Sequence, residues 1–162
     1  MLQFTEYQIL PKGITIAGIE EIESALGENT SQWRSILMTE LKSYIEELRT
    51  VSIGSYLILD GSFVMPCVKN PNDIDIILIM PDDWDTSEAD ISNEMHLLDA
   101  FQIRLRYAHL DVKIVSDHSF ELDFWLRCFG NISRDNHFFT DRNGMLMEIP
   151  AGVQKGLIQV NL

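Results

Sequence analysis

Cysteine is scarce in this chain: Cys67 and Cys128 are the only two among 162 residues. They form no CxxC pair, so no disulfide framework is expected, and reduced thiols suit a cytoplasmic protein. Basic residues are few as well. Twelve Lys and Arg face 25 Asp and Glu, a formal net charge of -13. That excess argues against a broad phosphate-gripping surface and against stable nucleic-acid binding. No apolar run approaches the ~20 residues that span a bilayer, so no membrane partner is expected. The opening MLQFTEYQILPKG lacks a basic segment followed by a long apolar one, so no signal peptide is expected. The four histidines show no HExxH spacing, which argues against a zinc site. There is no repeat, low-complexity tract or Gly/Ser linker.

What is present is an ordinary folding composition, 46% apolar and 23% charged. The length fits a single domain. Pro11-Lys12-Gly13 signals a turn, and residues 15–26 read as a short amphipathic helix that Gly27 can end. Thr30 or Ser31 can cap a second helix running to about Arg49, with Trp33, Ile36, Leu37, Leu41, Tyr44, Ile45 and Leu48 on its apolar face. Residues 55–60 and 73–80 read as buried strands, separated by the turn-formers Gly61, Pro66, Asn70, Pro71 and Asn72. From Pro81 to Asp99 there are seven acids and no Lys or Arg, the composition of a solvated acidic face. A third helix is expected over about Ser87 to Tyr107, with Ile91, Met95, Leu98, Phe101 and Leu105 sharing a face. A strand at 110–115, a helix at 120–129, a hairpin turn at Asn143-Gly144 and a terminal strand at 157–160 complete the chain. The expected fold is therefore α+β, a small mixed sheet flanked by helices. Its parts are a helical N-terminal region (about 15–50), a sheet core (about 55–116) and a C-terminal helix and strand (about 118–162).

The chemistry concentrates in LILDGSFVMPCVKNPNDIDIILIM, residues 57–80. Residues two apart on a strand point the same way, so Asp73 and Asp75 project side by side while Ile74 turns into the core. Adjacent carboxylates repel unless a cation joins them, and hard oxygen ligands suit Mg²⁺ or Mn²⁺. A strand running into Gly61-Ser62 offers backbone N–H groups and a hydroxyl to an anion, with no Cβ in the way. Asp60 would point away from Gly61 and is left out of the site.

This combination of strand, Gly-Ser, ten residues, Asp-apolar-Asp and strand resembles the nucleotidyltransferase superfamily of the polymerase-beta type. The resemblance implies that Gly61 and Ser62 hold nucleotide phosphates and that Asp73 and Asp75 bind the metal. It also implies a third carboxylate on a later strand, for which Asp111 is the candidate. Asp111 and Lys113 share one strand face, and Val112 and Ile114 the other. Leu10-Pro11-Lys12-Gly13, Gly61-Ser62-Phe63-Val64, Pro71-Asn72-Asp73-Ile74-Asp75 and Lys155-Gly156 are similar to an uncharacterised bacterial family of that superfamily. The small size resembles minimal nucleotidyltransferases that act as antitoxins beside small toxins. Where many minimal members carry a second glycine and arginines after Gly-Ser, this chain has Phe63 to Lys69 without either.

The resemblance implies transfer of a nucleotidyl group from a nucleoside triphosphate, ATP foremost, to a hydroxyl of a toxin-like protein partner or a small molecule. Lys69, Lys113 and Lys155 are candidates for neutralising the triphosphate, Lys113 the best placed. His109 could face the site. Cys67 has no electropositive surroundings that would mark it as a nucleophile. The competing reading is a noncatalytic acidic module whose Asp82–Asp99 run binds and blocks a basic protein.

Overall fold

The structure, a computed structural model, describes residues 1–27, 31–82, 91–141 and 143–162. Strands β1 (Ile14–Ile16), β2 (Tyr56–Asp60), β3 (Ile74–Met80), β4 (Leu110–Ser116) and β7 (Leu157–Asn161) form a mixed sheet in the order β1-β7-β2-β3-β4. β2 runs antiparallel to both β3 and β7, while β3–β4 and β1–β7 are parallel. β5 (Phe138–Thr140) and β6 (Leu146–Glu148) make a separate hairpin. Its turn contains Asn143-Gly144, with the Asp141 carboxylate accepting from the N–H groups of Asn143 and Met145.

β3 reads IDIILIM because both faces of this inner strand are covered. Leu57, Leu59, Ile76, Leu78 and Val112 point to one face, against helix α2 (Gln32–Val51) and the helices α3 (Ile91–Leu98) and α4 (Ala100–Arg106). Ile58, Ile77, Ile79 and Val115 point to the other, against Leu122 and Phe129 of α5 (Phe120–Phe129). Ser31 caps α2 by accepting from the Arg34 N–H, and Ser119 caps α5 in the same way.

Three expectations need correction. The helix expected over 15–26 does not include Thr15 and Ile16, which are strand: Ile14-Thr15-Ile16 is rich in β-branched residues and pairs along β7. The helix starts only after Gly18, as α1 (Ile19–Ile22) continuing into a π-turn (Glu23–Gly27). The expected helix over Ser87–Tyr107 is two helices, because the Asp99 carboxylate caps α4 by accepting from the Gln102 N–H at 2.9 Å; its part before Ile91 lies outside the described residues. The face buried there carries Leu97 and Ile103, whereas Met95, Phe101 and Leu105 are exposed. On α2, Ile36 is exposed and Met38 is buried.

The buried stripe of α2 also contains a charge. Arg34 is fully buried, and its guanidinium donates to the carbonyls of Leu26, Ser62, Phe63, Met65 and Val68 at 2.7–3.4 Å. Burial pulls its pKa down to about 10. Its cation lies 5.3 Å from the Phe63 ring centroid. One side chain thus ties the loop after Gly61 to helix α2. A second close fit lies at Gly156, where a Cβ would collide with the Pro11 carbonyl oxygen and stand 3.0 Å from the Leu10 Cβ. The N-terminal segment can lie beside β7 only because that position has no side chain.

Arg34→Ala should destabilise the fold by about 3–5 kcal/mol, since it strands several buried carbonyls. Arg34→Lys should recover only part of this, because an ammonium cannot span the same acceptors. Urea denaturation measures both; a loss under about 1 kcal/mol for the alanine variant would remove Arg34 as the clamp of this loop.

Candidate active site

Strand register builds the site. Asp60 on β2 lies opposite Asp75 on β3, and Asp75 lies opposite Asp111 on β4. Residues in register share a face, so three carboxylates stand in a row across three strands. Asp73, two residues before Asp75, joins them just before β3 begins. The row belongs to the α5 side of the sheet. Ile58, Ile77 and Lys113 follow it along the strands, then Ile79 and Val115.

Gly61 completes the turn after β2 with φ +78°. A Cβ there would collide with the Asp75 carboxylate, whose Cγ it would approach to 3.1 Å. The missing side chain lets the backbone of the Gly-Ser turn lie directly on that carboxylate. Ser62 follows, its carbonyl accepting from the Met65 N–H and from Arg34.

Each acid around Asp75 has a cation of its own. Lys155, 3% exposed, pairs with the buried Asp60 and also donates to the Phe129 carbonyl at 3.1 Å. Asp111 pairs with Lys113 at 2.8 Å, and that ammonium lies 5.4 Å from the Trp125 ring centroid. Asp73 and Arg104 approach to 3.6 Å. Among the described residues Asp75 has no ion-pair partner. Burial first, then the charges of Asp73, Asp60 and Asp111, push its pKa up to about 6, against a smaller opposing pull from Lys113. Burial raises Asp60 as well, with Lys155 pulling the other way.

A cavity of about 280 Å³ opens at Asp60, Gly61, Ser62, Asp73 and Asp75 and reaches Asn131, Ser133 and Asn136. Asp111 and Lys113 stand one strand further on and do not line it. Among the described residues no group of three or more His, Cys, Asp or Glu side chains is arranged to hold a metal ion. Asp73 and Asp111 are instead held by Arg104 and Lys113.

The expected site residues Gly61, Ser62, Asp73, Asp75, Asp111 and Lys113 therefore fall in one region. Asp60, which the sequence leaves out of the site, shares the face of Asp75 and lines the same cavity. Lys155 lines that cavity too, but its charge is matched by Asp60. Lys69 is exposed on the loop, and only its carbonyl is tied, accepting from Ser31. His109 is held by Glu40 through its Nδ1 at 2.8 Å and its backbone N–H at 3.0 Å, with Trp33 edge-on at 4.8 Å. Burial pushes the Cys67 thiol up to about 11, which keeps it protonated at neutral pH. Asn131, Ser133 and Asn136 were not anticipated. No spacing marks them, because they reach the cavity only through the turn after α5.

The chain belongs to the family described as Family of unknown function (DUF6932), whose model matches residues 2–161. No curated protein and no solved structure matches it.

The isolated charge on Asp75 has a measurable consequence. The folded protein holds that proton up to about pH 6, whereas an ordinary Asp releases it near 3.8. Folding therefore takes up a proton between these values, and Asp75 makes stability fall as pH rises through the window. In EDTA at about pH 7.5, Asp75→Asn should stabilise the protein by roughly 1–2 kcal/mol, a figure discounted for solvent screening. The gain should vanish near pH 4. Thermal unfolding of both proteins across that range checks this, and a gain that does not change with pH would contradict it.

Proposed function

We propose that this protein is a metal-dependent nucleotidyltransferase, moving a nucleoside monophosphate from a nucleoside triphosphate to a hydroxyl. The observation that carries the reading is the row of registered carboxylates with an unpaired Asp75 at its centre, seated against the Gly61 turn. A half-buried acid set among like charges without compensation costs the fold stability. A divalent cation relieves that repulsion, and carboxylate oxygens are the ligands that Mg²⁺ or Mn²⁺ prefers.

The carboxylates suit such an ion by their chemistry, and holding it would require them to leave their present cations, since as they stand the described side chains form no ready ligand set. Asp73, Asp75 and Asp111 would hold it, in competition with Arg104 on Asp73 and Lys113 on Asp111. When bound, the metal supplies charge neutralisation for the triphosphate and the attacking oxygen. Gly61-Ser62 would offer the Ser62 N–H and hydroxyl to phosphate oxygens, on a turn whose Cβ space the Asp75 carboxylate fills and whose Gly61 N–H is bonded to Asp60. Lys113, displaced from Asp111, becomes a cation for the same phosphates. The acceptor oxygen bonds to the α-phosphorus, and the bond from that phosphorus to the pyrophosphate oxygen breaks. The acceptor's proton passes to Asp111, and pyrophosphate leaves.

ATP is the expected donor, and a hydroxyl on a toxin-like protein partner or a small molecule the expected acceptor. The proposed setting is the cytoplasm; no described helix is long and apolar enough to cross a membrane. The alternative is a noncatalytic acidic module that binds and blocks a basic protein through the Asp82–Asp99 run, of which residues 83–90 lie outside the described residues.

Thermal shift with ATP, GTP, CTP and UTP, each in Mg²⁺ or EDTA, tests the reading. A ligand at ~100 times its dissociation constant stabilises by about 2.7 kcal/mol. For a chain of this length that is roughly 5–10 °C. The shift should need Mg²⁺ and disappear in Asp73→Asn/Asp75→Asn. Asp111→Asn should keep much of the shift yet lose transfer of label from the triphosphate. Absence of any nucleotide shift in the wild type would turn the assignment to the acidic binding module.

A further inference from the structure

The cavity at the carboxylates has a second, chemically different part. Asn131, Ser133 and Asn136 come from the connection that follows α5. Ile132, between them, is buried in a third apolar cluster with Ile9, Met65, Phe139 and Ile149. The Lys155 N–H donates to the Gly130 carbonyl at 3.0 Å, which ties the start of the connection to the strand side. The polar side chains are thus presented from an anchored backbone. Ser133 makes no capping bond with its hydroxyl. Among the described residues the Asn131 side chain makes two long bonds, donating to the Arg127 carbonyl at 3.4 Å and accepting from Gln154 at 3.5 Å.

Charge decides what this part can receive. The single cation that lines the cavity among the described residues is Lys155, and Asp60 already neutralises it. A polyphosphate placed against Asn131, Ser133 and Asn136 would meet no free positive charge. Neutral amides and a hydroxyl both donate and accept, which matches ribose hydroxyls and the mixed edge of a base. From this geometry we infer that Asn131, Ser133 and Asn136 hold the nucleoside portion of the nucleotide. Its polyphosphate, carried as the Mg²⁺ complex that offsets the carboxylates, would then lie toward Gly61. This assignment rests on the nucleotidyltransferase reading, and it makes the connection after α5 the determinant of donor choice.

Calorimetric titration of Ser133→Ala/Asn136→Ala against the wild type tests it. The probes are ATP, GTP, CTP, UTP and inorganic tripolyphosphate, all with Mg²⁺. The variant should bind the preferred nucleotide roughly tenfold more weakly, about 1.4 kcal/mol. Its affinity for tripolyphosphate should stay within about twofold, and preference among the bases should flatten. Both side chains reach solvent, so the fold should survive; Ser133→Ala alone should give a smaller change in the same direction. Unchanged nucleotide affinity in the variant would overturn the assignment, as would equal weakening of tripolyphosphate. Wild-type protein that binds tripolyphosphate no less tightly than any nucleotide would overturn the nucleoside subsite and leave the transfer reading standing. Wild-type protein that binds neither would overturn both.

Discussion

The buried guanidinium of Arg34 is the contact on which the site depends. It sits on the apolar stripe of α2, and its partners among the described residues are main-chain carbonyls. Taking a charge out of water is costly unless its donors are satisfied, and here the carbonyls satisfy them. The consequence is directional. Loop residues Ser62 to Val68 must follow one path to offer those carbonyls, and that path fixes the turn at Gly61. Gly61 in turn lies on Asp75. A helix facing one side of the sheet thereby sets the backbone next to a carboxylate on the other.

The same sheet concentrates negative charge. Parallel pairing of β3 with β4 and antiparallel pairing with β2 both bring an aspartate beside Asp75. The fold softens this by giving Asp60, Asp73 and Asp111 separate cations, drawn from β7's approach, α4 and β4. Asp75 is left to bear the repulsion. Such local destabilisation is characteristic of sites where binding, not folding, completes the charge balance.

Much of this arrangement could be read along the chain. The apolar runs at 57–59 and 76–80 named two buried strands, and the alternation in LDVKIV separated Asp111 and Lys113 from Val112 and Ile114 as observed. The helix expected at 120–129 matches α5. The reading failed where local pattern was outweighed. Thr15 and Ile16 belong to a stretch with helix-compatible spacing, yet a ladder along β7 outweighs it. In the 91–106 region, Asp99 competes for the helix backbone, and the capped break turns a different face inward.

By itself the sequence determined the α+β class, the central strands and the Asp-x-Asp and Gly-Ser elements, because strand periodicity and turn chemistry act over a few residues. Tertiary structure alone decided that Asp60 belongs with Asp75 and that Lys155 answers it from 95 residues away. It also decided that Arg34 serves the loop and that Asn131, Ser133 and Asn136 face the cavity. Those relations depend on strand register and on how segments distant in sequence pack together. A one-residue slip in register would send each aspartate to the opposite face, and no local pattern records which register holds.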